Sequence, residues 1–297
     1  MHYLGKVALL GFISSSVVHW ILWIFFYNNA DCLNAQKDSP LIITATKILF
    51  ISCISLLLLC LFSWKCFSTS IHEVIWRSCL LGIIFTEGLL INYSDLPMWQ
   101  PFGWYMSIMA FFHFSEFTVT SIIRPMALGT DSFLLNHSKA YGIAATMSWL
   151  EFFIELLVFP YLKTLNWISY VGIMICLGGE VIRKTAMLTA GSNFDHLIRT
   201  RKEEDHKLVT TGIYSLSRHP SYVGWFYWSV GTQFILCNPL CLIAYALASW
   251  RFFHDRVYEE EATLLYFFGK EYAVYQSKVP TGLPFINGYQ MSELFSS

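Results

Sequence analysis

Apolar residues fall along this chain in long runs, too unbroken to be the one-sided stripes of soluble helices. Six runs reach roughly the 20 residues that a helix needs to cross a bilayer. They are Leu4 to Tyr27, Leu41 to Trp64, Val74 to Ile91, Trp99 to Ile123, Ala140 to Tyr161 and Trp167 to Leu188. Two shorter runs follow, Tyr222 to Leu236 and Leu240 to Phe253, separated by Cys237-Asn238-Pro239. Proline cannot continue a helix and asparagine favours a turn. These two pieces therefore form a hairpin, tilted or re-entrant, that returns the chain to the side it left. The pattern predicts an all-α, polytopic membrane bundle with about eight membrane helices, six full and two short. Met1 to Tyr27 is apolar over too long a stretch for a signal-peptide core and reads as the first span.

The longest polar stretch, Gly191 to Leu216, lies between the sixth run and the hairpin. Its charges alternate with Phe194, Leu197, Ile198, Leu208 and Val209, so it is expected to fold against the membrane part and not to act as a linker. After the hairpin, Arg251 to Glu261 is densely charged, and Glu260 to Tyr275 has its apolar residues at the spacing of an amphipathic helix interrupted at Gly269. A polar loop and a charged helix thus flank a short hydrophobic hairpin, an arrangement that suits an active site at a membrane surface. This divides the chain into a membrane bundle, 1–190, and a catalytic region, 191–297. The polar loop holds Arg199, Arg201, Lys202 and Lys207, with Arg183 and Lys184 before it and Arg218 after it. Positive charge marks the cytosolic side, which places this loop and the N-terminus there. Asn92-Tyr93-Ser94 is a sequon on the opposite, luminal side, close enough to the membrane that it is expected to stay unmodified.

Composition sharpens this picture. The chain is 55% hydrophobic and 13% charged, against about 25% charged in soluble domains. The net charge of −1 offers no basic footprint for nucleic acid. Eight cysteines are scattered without a CxxC pair, and they read as small hydrophobes and not as metal ligands. There is no CaaX box and no myristoylation motif, so the protein itself is not expected to be lipidated. Leu177-Gly178-Gly179-Glu180 sits inside an apolar run and reads as helix packing; no strand with a glycine-rich turn precedes a helix, as a doubly wound nucleotide-binding sheet would have.

The chemistry concentrates in Ser217-Arg218-His219-Pro220-Ser221-Tyr222-Val223-Gly224 and its surroundings. With His206-Lys207-Leu208-Val209 and Gly212-Ile213-Tyr214 before it, it forms an ordered series. Cys237-Asn238-Pro239, Arg256, Glu259-Glu260, Phe267 to Tyr272 and Val279 to Ile286 continue that series. Over roughly the last 110 residues it closely resembles the eukaryotic protein-S-isoprenylcysteine O-methyltransferases, and His113-Phe114-Ser115-Glu116-Phe117 is similar to that family as well. The resemblance implies methyl esterification of the C-terminal S-prenylcysteine carboxylate of processed CaaX proteins such as small GTPases. The methyl donor would be S-adenosylmethionine, no metal would be required, and the enzyme would reside in the endoplasmic-reticulum membrane with its active site facing the cytosol. It further implies that His206, Lys207, Leu208, Val209, Tyr214, His219, Pro220, Ser221, Tyr222 and Glu260 hold the methyl donor. Arg199, Arg251 and Trp225 are secondary candidates. Arg199 departs from the uncharged polar residue more usual in the family, though its charge would suit the donor's carboxylate.

Such a reaction is an in-line displacement by a carboxylate already ionised at pH 7. It needs alignment and exclusion of water but no general base. It does need a cation for the carboxylate. Arg256 is the choice, because a guanidinium matches a carboxylate with two parallel hydrogen bonds. Glu260, four residues on, shares its helical face, and a plain surface ion pair would look the same. Arg251 with Asp255 is the competing pair, while Glu259 and Glu261 read as solvated. Glu87, His113, Glu116, Glu151, Glu155 and Glu180 lie in or near spans and are expected to hydrogen-bond structurally. Trp225, Phe226, Tyr227, Trp228, Phe252 and Phe253 are expected in the core, some lining an opening for the prenyl chain. Other readings of the pattern are a membrane phospholipid methyltransferase or an NADPH-dependent sterol reductase with a similar C-terminal layout. A channel or transporter is disfavoured, because no matching pair of interrupted helices occurs in two halves.

Overall fold

The computed structural model describes residues 1–30, 53–54, 56–57, 59–61, 63–64, 66–92, 96–135, 138–202 and 206–289. Cys32, most of the predicted second span, and Tyr93 and Ser94 of the sequon lie outside the described residues. Among those described there are helices and loops and no strand. The helices are α1 (Tyr3–Ala30), α2 (Thr69–Asn92), α3 (Gln100–Ile123), α4 (Lys139–Val158), α5 (Asn166–Ala190), α6 (Pro220–Leu236), α7 (Pro239–Phe268) and α8 (Lys270–Lys278). The described residues from 53 to 66 are helical up to Cys66. Among the described residues, four segments are long and apolar enough to cross a membrane: Tyr3–Phe25, Thr69–Asn92, Pro97–Ile123 and Lys139–Val158. The α5 helix is as long, but Glu180, Arg183 and Lys184 in its second half set it apart.

The chain divides into two compact units, Met1–Gly142 with Phe159–Asn166, and Ile143–Val158 with Trp167–Ser297. In the first, Leu4, Ala8 and Phe12 of α1 pack with Val74 and Leu81 of α2 and with Ala110, Phe114 and Phe117 of α3. Phe12 stacks on Phe114 with ring centroids 4.0 Å apart. Two histidines in this apolar setting are paired, as the cost of leaving them bare demands. His19 meets Glu87 at 2.6 Å. His113 sits between the Phe133 carbonyl (2.8 Å) and the Tyr141 hydroxyl (2.9 Å).

The second unit is built on a close helix pair. Glycines in α5 and α6 bring the two backbones together: a methyl group on Gly179 would lie 2.5 Å from the Gly224 carbonyl oxygen. The expected packing role of the Gly178-Gly179 run is therefore met by Gly179. The α6 helix ends at Cys237 in the left-handed region, and the Asn238 N–H donates back to the Gln233 carbonyl at 3.1 Å, closing the last turn as a Schellman-type stop. Pro239 then occupies the first turn of α7, where its missing N–H costs nothing. Glu151 of α4 caps that helix, accepting from the Leu240 and Cys241 N–H groups at 2.7 and 2.6 Å. The Ser148 hydroxyl donates to Gln233, and the Asn238 amide donates to the Ser148 carbonyl. A carboxylate within an apolar stretch thus fixes the corner from which the α6–α7 hairpin turns.

One element differs from expectation. The second arm of the hairpin does not stop near Phe253; α7 runs unbroken for 30 residues to Phe268 and carries Arg256, Glu260 and Glu261 on the same rod as the apolar half. No glycine or proline intervenes between Leu240 and Phe268, so the helix has no reason to stop where its composition changes. Gly269, at φ +52, ends it, and α8 starts directly afterwards.

Candidate active site

The candidate site is assembled where the polar loop, the start of α6 and the charged half of α7 meet. Pro220 opens α6 with its φ pre-set for the helix. Position 219 therefore becomes the N-cap, and the His219 side chain is turned inward among α7 residues. The cavity there has ≈ 680 Å³ of open space, its mouth included. Its wall includes His206, Lys207, Leu208, Val209, Tyr214, His219, Pro220, Ser221, Tyr222 and Glu260, all ten residues predicted to hold the methyl donor. Ala190, Asn193, Phe194, Asp195, Arg218, Leu264, Phe268, Tyr272 and Tyr275 complete it, none of them assigned to the methyl donor from the sequence. The lining is mixed: aliphatic and aromatic faces from Leu208, Val209, Leu264 and Phe268, and carboxylates from Asp195 and Glu260.

Arg256 does not line the cavity but reaches its wall. Its Nε donates to the Tyr222 hydroxyl at 2.9 Å, and that hydroxyl donates to Glu260 at 2.5 Å. Nη2 donates to the His196 carbonyl oxygen of the polar loop. Arg256 and Glu260 share a helical face as predicted, but a tyrosine from α6 links them and the pair is not direct. Arg251 is elsewhere: it pairs with Asp255 at 2.9 Å, and both side chains are exposed. Arg199 lies 3.6 Å from Asp195 and donates to the Ser192 carbonyl, bracing the loop from outside the cavity. Trp225 faces α5, its ring under the Arg183 guanidinium at 4.5 Å. That same guanidinium, itself buried, donates to the Ser221 hydroxyl at 2.8 Å.

Glu261 overturns an expectation. Read as solvated, it is fully buried and is the hub beneath the cavity. It accepts from Arg218 Nε (2.7 Å), His219 Nε2 (3.0 Å), the Tyr272 hydroxyl (2.9 Å) and Gln276 Nε2 (2.9 Å). The reason is helical phase: Val257, Glu261 and Leu265 follow at intervals of four on the buried face of α7, whereas Glu259 turns to solvent. Burial alone would push the Glu261 carboxyl up; the hydrogen bonds and charges of His219 and Arg218 outweigh it and hold it below the usual glutamate value. Burial also raises the Tyr272 and Tyr275 phenols, the latter to about 12, so both remain donors at neutral pH. His219 stacks parallel to Tyr222, centroids 5.5 Å apart, with Nδ1 3.8 Å from Glu260. Two adjacent glutamates thus contact the two sides of one imidazole.

Among the described residues no group of three or more His, Cys, Asp or Glu is placed to hold a metal ion. What the site offers is a pocket with apolar walls and two carboxylates, flanked by a guanidinium, on an all-helical frame rich in membrane-length helices. That is the outline of an integral-membrane enzyme that positions reactants and leaves their intrinsic reactivity to do the rest.

Comparison with known proteins makes the class specific. Residues 171–266 match the isoprenylcysteine carboxyl methyltransferase (ICMT) family. The protein-S-isoprenylcysteine O-methyltransferase of Xenopus laevis is 52% identical over 97% of this chain and 96% of its own length. That of Tribolium castaneum is 47% identical over 97% and 98%. The solved structure of a eukaryotic intramembrane Ras methyltransferase, ICMT, superposes with a TM-score of 0.90 at 46% identity, covering 98% of this chain and all of that one. The chain belongs to the isoprenylcysteine carboxyl methyltransferase family and is a membrane-embedded methyltransferase. The phospholipid-methyltransferase and sterol-reductase readings are not favoured.

Proposed function

We propose that this protein esterifies the C-terminal carboxylate of S-prenylcysteine on processed CaaX proteins, small GTPases among them, using S-adenosylmethionine. The observation that carries the reading is that ten scattered residues, from His206 to Glu260, line one cavity, with Arg256 hydrogen-bonded to its wall through Tyr222. The cavity fits the donor by its chemistry. Leu208, Val209, Leu264 and Phe268 suit a purine, and Asp195 and Glu260 suit ribose hydroxyls and an ammonium. When bound, S-adenosylmethionine supplies an electrophilic methyl group. Every other task falls to the chain. Tyr222 and His219 fix the position of Glu260. Arg256 holds the acceptor carboxylate: with Nε on Tyr222 and Nη2 on His196, Nη1 is the guanidinium nitrogen left to meet it. Leu208, Val209 and Leu264 keep water from the reacting groups.

In this reading the chain has about eight membrane helices, with a bundle in 1–190 and a catalytic region in 191–297. The polar loop faces the cytosol, and the protein resides in the endoplasmic-reticulum membrane, where prenylated proteins arrive. The prenyl chain dominates affinity, since each buried methylene contributes about 0.8 kcal/mol.

The decisive test is transfer of label from S-adenosylmethionine to N-acetyl-S-farnesylcysteine by purified protein. A base-labile methyl ester is expected. Its absence from folded protein that still binds the donor overturns the acceptor, and equal turnover of a non-prenylated peptide overturns the role of the lipid.

A further inference from the structure

Phe285 is the most conspicuous residue outside the cavity. It is 94% exposed, and its backbone is left-handed, at φ +58, a conformation that glycine adopts freely and a bulky L-residue does not. The flanking residues explain how it is held. Leu283 and Ile286 are buried with Phe226, Phe253 and Val257, and the Trp250 indole donates to the Pro284 carbonyl at 2.7 Å. The loop is clamped on both sides and displays one aromatic ring outward. Strain of this kind persists where the surroundings impose it, and it concentrates at working segments.

The clamp also ties the loop to one end of an apolar stripe. Trp250 continues a series on α7, Leu240, Ile243 and Leu247, whose first three members are exposed apolar side chains at helical spacing. One residue beyond Trp250 stands exposed Arg251, where the charged half of α7 begins. Phe285 is thus held at the end of an exposed apolar stripe, where apolar surface gives way to charge. That is the level at which aromatic side chains sit in membrane interfaces.

We infer that Phe285 is a membrane-interface anchor, inserting its ring at the boundary between headgroups and acyl chains. This rests on the reading that the apolar half of α7 is embedded in the bilayer. The anchor is coupled to the active site through backbone. The Thr281 carbonyl accepts from the Ser217 hydroxyl (2.6 Å) and the His219 N–H (3.3 Å), and the Pro280 carbonyl accepts from the Arg218 N–H (2.9 Å). The Arg218 side chain donates to the Val279 and Asn287 carbonyls. A leaflet that holds Phe285 therefore holds the loop that sets His219.

The test places the photo-crosslinker p-benzoylphenylalanine at Phe285, Ile243 or Glu259 of the full chain in phosphatidylcholine vesicles, with intact-mass readout of phospholipid adducts. Adducts at 285 and 243 but not at 259 are expected. An adduct at 243 alone overturns the anchor and leaves the embedding of α7 standing; adducts at neither overturn both; equal adducts at all three sites overturn a specific anchor. In vesicles, Phe285→Gly should raise KM for S-adenosylmethionine at least about threefold while Phe285→Trp stays near wild type. Unchanged KM in Phe285→Gly overturns the coupling to the site.

Discussion

Arg218 and Glu261 form an ion pair beneath the cavity, Nε to Oε1 2.7 Å, with side chains only 4% and 0% exposed. The pair joins three elements that are far apart in the chain. Arg218 follows the polar loop and grips the end of α8 and the segment after it, while Glu261 belongs to α7 and also receives His219, Tyr272 and Gln276. Every nitrogen of the Arg218 guanidinium donates to a protein oxygen. This satisfaction is what makes a buried ion pair tolerable; removing one partner strands the other.

Glu261→Ala should therefore destabilise the protein by about 3 to 5 kcal/mol. Glu261→Gln, which keeps part of the hydrogen bonding, should lose less. Thermal unfolding in detergent measures both. Equal midpoints for wild type and Glu261→Ala would show that the network contributes nothing.

The same carboxyl sets an acid limit. Its folded pKa lies below the ordinary value of 4.5, so the unfolded chain binds the proton more readily. The stabilisation is fully present above pH 4.5 and is lost as pH falls through the lower folded value. Unfolding midpoints measured from about pH 6 down to about pH 3 should fall less steeply in Glu261→Gln than in wild type. Parallel slopes would assign the acid loss to other groups.

Arg256 and Arg251 can be separated by activity. Arg256 is tied to the cavity wall through Tyr222, whereas Arg251 and Asp255 are an exposed pair. Loss of a group that holds the reacting carboxylate costs about a hundredfold or more. Arg256→Ala should lose that much methyl transfer, and Arg251→Ala should stay within a few-fold of wild type. The reverse ranking would hand the carboxylate to Arg251.

Much of this site was legible because the reaction needs particular groups and the motif lies in one polar region of an apolar chain. The stop at Cys237-Asn238-Pro239 and the break at Gly269 were legible too, since backbone chemistry dictates both. The buried network was not. Glu261 stands among Glu259, Glu260 and Glu261, and a run of charge reads as a solvated face. The signal that would have found it is its phase: it shares intervals of four with Val257 and Leu265, so it is a carboxylate on an apolar stripe. Its partner Arg218 was visible in the motif, but a buried pair 43 residues apart in sequence has no local pattern. The tyrosine between Arg256 and Glu260 was hidden for the same reason, because the spacing of α7 says nothing of what α6 inserts.

That tyrosine gives a sharper test of positioning. Tyr222→Phe removes one hydroxyl that both accepts from Arg256 and donates to Glu260. Hydrogen bonds to charged groups contribute about 1.5 to 3 kcal/mol, so kcat/KM should fall roughly ten- to a hundredfold. Because the ring remains, stacked on His219, stability should change little. A variant with wild-type kcat/KM would mean that Arg256 and Glu260 are placed without the hydroxyl.

The helix pair behind the cavity offers a comparison between neighbours. A methyl group on Gly179 would meet the Gly224 carbonyl at 2.5 Å and the Trp228 N at 2.8 Å, whereas one on Gly178 would meet nothing within 4 Å. Both residues are in the interior of α5. Gly178→Ala should thus stabilise by about 0.5 to 1 kcal/mol, the usual gain of alanine over glycine in a helix. Gly179→Ala has the same intrinsic gain, but it must push α6 away, and overpacking of this kind costs about 1 to 3 kcal/mol. The displaced helix starts with Pro220, Ser221 and Tyr222, three residues of the cavity wall, so activity should fall along with stability. Opposite shifts of the unfolding midpoint in the two variants are the expected result. If both alanines shift it the same way, the close approach of α5 and α6 does not control the site.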